Sequence, residues 1–205
     1  QLMIGEFILP WFGGTPAVWS TAMLFFQVML TGGYAYAYWL VKQKKQGWIH
    51  LALIGATLAL LSALGLVWSS PITPSADLRP ADVSFPIWNI LFLLFVSVGL
   101  PYFVLASNGT LMQAWFSRAF PEQSYARLYA LSNVGSLFGL LAYPVLVEPS
   151  LTLRGQGWAW AGGFLLFALV AGAISYRART EQGQVVAATV ERPSVALRIL
   201  WVVLS

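Results

Sequence analysis

The sequence predicts an all-α, polytopic integral membrane bundle of about five full transmembrane helices, with partial ones at both ends. Three observations predict it. Hydrophobic residues make up 59% of the 205 and charged residues only 9%, against about 25% charged in soluble domains, and the mean hydropathy is +0.73. Uncharged runs between charge clusters match the roughly 20 residues that cross a hydrocarbon core as a helix. Basic residues collect in alternate connections, the pattern that orients membrane proteins.

The elements follow in order. Residues 1 to about 10 read as a partial helix ending at the punctuation "LPWFGGTP". The first full span is Pro16 to Val41, uncharged throughout. Thr15 stands at the capping position, and Pro16 occupies the first helical position, where its missing N–H costs nothing. The second span runs from Ile49 to Trp68, with Trp48 and Trp68 at its ends as interfacial anchors. It is bounded by Lys42, Lys44 and Lys45 and by the proline-rich stretch Ser69 to Pro86.

From Val83 to Ser117 there is no charge, yet a helix of that length would measure about 50 Å at 1.5 Å per residue, against a core of roughly 30 Å. Pro101 cannot donate to the Ser97 carbonyl, and Asn108-Gly109 is a turn-favouring pair. These signals predict a third span over residues 86–106 and a short surface helix over 110–120. A fourth span covers Leu128 to about Val147, a fifth Gly155 to Tyr176, and a sixth starts near Val195. The apolar runs at the two ends read as cut from a longer product, so the chain is expected to be one transmembrane domain, an internal fragment.

With the first connection, 42–48, placed inside, the inner loops collect Lys42, Lys44, Lys45, Arg118, Arg127, Arg177, Arg179 and Arg192. The outer loops hold only Arg79 and Arg154. This distribution explains the net charge of +4 as orientation, so no nucleic-acid partner is expected.

Several chemistries are excluded or unsupported. The absence of cysteine removes disulfides, thiolate metal sites and cysteine nucleophiles. A single histidine, His50, removes multi-histidine metal sites and bis-histidine haem within this chain; beside the lysine cluster it reads as a hydrated surface residue. No G-x-G-x-x-G follows a strand and no G-x-x-x-x-G-K-[ST] occurs. No paired carboxylates or nucleophile–base arrangement appears, so no catalytic residue, metal or cofactor is assigned.

The candidate ligand-facing residues are polar groups inside apolar segments. Glu6 lies four residues before Pro10; an acid at membrane depth is costly without a partner and points to cation binding or proton relay, whereas one at the helix end is simply hydrated. Ser20, Gln27, Thr31, Tyr34 and Tyr38 are spaced 7, 4, 3 and 4 apart, one helical face, fit for a polar cavity or for interhelical hydrogen bonds. Asn108 and Asn133 suit either ligand coordination at an interrupted helix or capping of freed carbonyls. Ala52, Gly55, Ala59 and Ser62, and the G-x-x-x-G pair Gly135 and Gly139, are helix-packing signals. "RGQGW" at 154–158 reads as a loop entering a helix.

The stretches "MIGEFILPWFGGTPAVWSTAMLFFQVMLTGGYAYAY", "GLPYFVLASNGTLMQAWF", "RLYALSNVGSLFGLLAYPVLVEP" and "LRGQGWAWAGGF" resemble the membrane part of bacterial fused major-facilitator/spermidine-synthase-like proteins. The "LPWFGGTPAVW" and "YALSNVGSL" blocks carry the likeness most specifically. The resemblance implies half of a major-facilitator fold in the bacterial inner membrane, joined further along to an aminopropyltransferase-like domain beyond residue 205. Glu6 stands where many relatives carry a basic residue. The expected function is therefore a transporter-like membrane module or anchor, with the bilayer and a polyamine or other small cation as partners. The alternative is a non-catalytic accessory subunit packed on a larger respiratory or photosynthetic membrane complex.

Overall fold

The computed structural model describes residues 2–75, 78–79, 86–124 and 126–178, and all its regular structure there is helical. Helix α1 is Leu2–Phe12, α2 is Pro16–Leu40 and α3 is Gln46–Val67. Helix α4 runs Pro86–Ala119, α5 runs Ala126–Ser150, and α6 runs Leu153–Ala178. Helices α3, α4, α5 and α6 are long and apolar enough to cross a membrane. They correspond to four of the five expected spans; the other, α2, is 25 residues long and uncharged. The expected sixth span, from Val195, lies outside the described residues.

The connection between α1 and α2 follows the sequence closely. Gly13 adopts φ 79°, the left-handed conformation that glycine enters without a Cβ penalty, and its N–H donates to the Leu9 carbonyl at 2.8 Å, closing the helix end. Thr15 takes the capping position with extended backbone, but its side chain makes no capping hydrogen bond. The helix start rests on its carbonyl, which accepts from Val18 and Trp19, and on Pro16.

The predicted break at Asn108-Gly109 does not occur. Helix α4 continues to Ala119, 34 residues in all, and residues 110–120 are its end rather than a separate surface helix. Packing along α2 overrides the local turn preference. The ladder is disturbed earlier, by a π-turn over Phe95–Gly99. Pro101 has no N–H for the Ser97 carbonyl, and the helix widens just before it. Helix α5 repeats the device: a π-turn over Tyr143–Val147 contains Pro144.

Helix α2 packs on α4, and α3 packs on α6. The α2–α4 crossing is closest at Gly33, where a Cβ would stand 2.9 Å from Ala106 Cβ and 3.0 Å from the Ser107 nitrogen. The main core joins Ile4, Ile8, Phe25, Phe26, Ile54, Leu94, Val98, Phe164 and their neighbours. A second cluster of Ala37, Leu40, Leu111 and Trp115, with Ala178 against it, lies at the end of the bundle that carries Lys42 to Lys45.

Among the described residues nothing packs on the small-residue faces. Ala52, Gly55, Ala59 and Ser62 are exposed, as are Gly135 and Gly139, and a Cβ on Gly55, Gly135 or Gly139 would meet nothing within 4 Å. None of the residues of α5 is buried. The close approaches fall instead at Gly5 against Trp19, at Gly33, and at Gly157. Spacing marks a face on which a helix can be approached, but an isolated glycine opposite an alanine serves as well.

His50 is also corrected. It is 0% exposed, stacked near Tyr36 and edge-on to Trp115, each ring centre 6.1 Å away. Because α4 reaches past it, the residue is roofed over. Gln46 Oε1 accepts from Trp115 Nε1 at 3.0 Å and from Arg118 at 3.2 Å, while Arg118 also donates to the Val41 carbonyl at 2.9 Å. This clasp ties the turn between α2 and α3 to the end of α4.

Candidate functional site

The opposite end of the bundle holds a cavity of about 420 Å³ lined by Glu6, Pro10, Trp11, Ser69, Thr73 and Leu153, among others. Helix α1 supplies the acid. Pro10, four residues on, removes the N–H that would bond the Glu6 carbonyl, so this turn offers a backbone acceptor beside the carboxylate. Trp11 adds an aromatic face, suited to a cation.

The wall facing α1 is the segment following α3. Ser70 Oγ donates to Thr73 Oγ1 at 2.7 Å and accepts from the Thr73 N–H at 3.1 Å, a local turn of the kind serine favours. Ser70 is 0% exposed, and it is pressed against α6: a Cβ on Gly157 would fall within 2.8 Å of Ser70 Cβ, and nearer still to its Oγ. Trp158 Nε1 donates to the Ser69 carbonyl at 3.2 Å. Glycine at 157 is thus required by the approach of this turn, which fixes Ser69 and Thr73 at the cavity.

Tyr143 ties α5 to the start of α6 beside the Gly157 contact. Its hydroxyl donates to Gln156 Oε1 at 3.0 Å. Gln156 is 4% exposed, with its amide held by donation from Nε2 to the Leu151 carbonyl at 3.2 Å. The site is therefore one carboxylate, a few hydroxyl and carbonyl oxygens and an indole face. Such a set accepts hydrogen bonds from a cation and carries no nucleophile–base pair. No cluster of three or more histidine, cysteine, aspartate or glutamate side chains that could hold a metal is found among the described residues.

Of the sequence-predicted candidates, only Glu6 reaches this cavity. Gln27, Thr31 and Tyr34 are exposed on the outer face of α2, where Thr31 Oγ1 donates back to the Gln27 carbonyl at 2.9 Å. Asn133 is exposed on α5. Asn108 is half-buried within α4, with a buried Oδ1 that has no hydrogen-bond partner among the described residues. Sequence reasoning missed Trp11, Ser69 and Thr73 at the cavity. Two signals were available: the paired Ser70-Pro71 and Thr73-Pro74 steps, and a glutamine between two glycines at the start of α6. "RGQGW" lies within that helix, which starts at Leu153 after the two-residue connection 151–152.

Comparisons of the chain with protein-family models, with curated proteins and with solved structures find no match.

Proposed function

We propose that this chain is a membrane-embedded, transporter-like module that recognises a small organic cation, with an aliphatic diamine or polyamine as the substrate class. The observation that carries the reading is Glu6 lining a cavity of about 420 Å³ together with Trp11, Ser69 and Thr73. That volume fits within the range of small-molecule sites. One carboxylate and an indole face match an alkylammonium group, and the remaining oxygens accept its hydrogen bonds. The resemblance to the membrane part of the spermidine-synthase-like fusions agrees with an amine. In that setting the module anchors the synthase domain or delivers substrate to it, and performs no catalysis itself.

The positive-inside distribution supports an orientation with 42–48 cytoplasmic in a bacterial inner membrane, which places the Glu6 cavity at the outer face. Glu6→Gln keeps size and hydrogen bonding while removing the charge. It is expected to weaken putrescine binding by tenfold or more, measured by isothermal titration on the full chain in lipid nanodiscs. Unchanged affinity in Glu6→Gln would remove this residue from the account.

The accessory-subunit reading is favoured by a different observation: no residue of α5 is buried, and the small-residue face of α3 is exposed. Co-purification with other membrane subunits at fixed stoichiometry would select it over the first.

A further inference from the structure

We propose that the outer face of α2 is a dimer surface, on which a second copy of this chain seats its own α2 in the same orientation. The inference rests on the membrane setting proposed above and is independent of what the Glu6 cavity binds.

Six residues carry it. Ser20, Leu24, Gln27, Thr31, Tyr34 and Tyr38 are all exposed, and the steps between them are 4, 3, 4, 3 and 4. Such steps average about 3.5 residues, the repeat of a left-handed two-helix seam and not the drift of a straight helix. At about 100° per residue the seam is centred half a turn from the buried residues Val18, Phe25, Gly33 and Leu40. The bundle therefore uses one side of α2, and the repeat runs along the other. From Ser20 to Tyr38 the seam measures about 27 Å at 1.5 Å per residue, close to the roughly 30 Å of a hydrocarbon core. It ends where Lys42 Nζ stands 3.7 Å from the centre of the Tyr38 ring, at the lysine cluster.

Gln27 selects the occupant. It lies near the middle of this length, where lipid tails offer neither donor nor acceptor and an exposed amide is costly. Thr31, one turn on, gives its hydroxyl proton back to the Gln27 carbonyl at 2.9 Å, so that proton is already committed within α2. The Gln27 carboxamide holds both donor and acceptor, which makes it complementary to itself. Copies of one chain take one orientation in the membrane. A two-fold axis along the membrane normal then brings Gln27 to face Gln27, each donating to the other across a self-complementary interface. One polar residue in an otherwise less polar seam also fixes its register and its two-stranded state.

The chain has no cysteine, so single cysteines report the contact directly. Leu24→Cys and Tyr34→Cys lie on the seam, whereas Val28→Cys on α2 and Leu166→Cys on α6 replace exposed residues away from it. Each full-length variant is oxidised with copper phenanthroline in the membrane that expresses it. The two seam variants are expected to form a disulfide-linked product of twice the chain mass at least about fivefold faster than the two controls. Equal rates at all four positions, or no such product from the seam variants, would overturn the proposal. A seam product carrying a different polypeptide would also overturn it, by giving the face to another partner. Energy transfer between labelled copies in liposomes measures the dimer constant, and Gln27→Leu, which makes the helix more apolar, is expected to weaken it about threefold or more. An unchanged constant would overturn the amide contact that selects a second copy. None of these outcomes depends on putrescine, so they are separate from the test of the Glu6 cavity.

Discussion

Gly33→Leu is expected to lower the stability of the bundle core strongly. A Cβ there already stands 2.9 Å from Ala106 Cβ, 3.0 Å from the Ser107 nitrogen and 3.1 Å from the Ala106 carbonyl carbon. Two of these three neighbours are backbone atoms, so no rotamer change can make room, and α2 must move off α4. Overpacking a close-packed contact costs about 1–3 kcal/mol, with larger insertions at the top of that range or beyond. For a chain of this size each kcal/mol lowers the unfolding midpoint by roughly 2–4 °C. Thermal unfolding of the purified protein should show a drop of several degrees, with Gly33→Ala falling between the two. A midpoint within 1 °C of the parent for Gly33→Leu would mean that the helices do not cross at this glycine.

Gly157→Ala is expected to act on stability and on the site together. The new methyl would overlap Ser70, which is 0% exposed and cannot swing outward without giving up its bonds to Thr73. The overlap costs about 1–3 kcal/mol, and the turn that presents Ser69 and Thr73 to the cavity shifts with it. Putrescine affinity should therefore fall with stability, whereas Gly33→Leu, at the far crossing, should change affinity little in the fraction that remains folded. Ser70→Gly in the Gly157→Ala background removes the atoms in conflict and should recover part of the midpoint. Full independence of the two substitutions in a double-mutant cycle would contradict the contact.

Much of the helical layout was legible because the signals were of one kind: long uncharged runs, prolines at first helical positions, and tryptophans at ends. The α1–α2 turn was read to within a residue or two, since Gly13 and Pro16 each admit few backbone conformations. The end of α4 was not legible. Asn108-Gly109 favours a turn only when nothing else competes, and packing against α2 competes successfully. That one boundary also hid the burial of His50, which is covered by the part of α4 taken for a surface helix. The small-residue faces were real patterns, but a pattern on one helix does not say whether another helix approaches it.

The site was legible only as far as Glu6. An acid in an apolar stretch stands out on its own, whereas Ser69 and Thr73 are ordinary polar residues whose placement comes from the contact of one turn with Gly157. The stripe of Gln27, Thr31 and Tyr34 on α2 was correctly read as one face. It turns away from the described bundle, because helical periodicity fixes which residues share a side and leaves open what that side meets.

The central claim is that the Glu6 cavity reads positive charge, and comparing putrescine with 1,4-butanediol tests it most directly. The two have similar shape and hydrogen-bonding reach, and only the first is cationic. An ion pair at 4 Å near a protein surface has a gross attraction of about 4 kcal/mol, part of which is lost to desolvation and salt. Titration of both into the full chain in nanodiscs should show saturable putrescine binding at least tenfold tighter than the diol. Equal affinity for the two, or no binding of putrescine, would contradict the account.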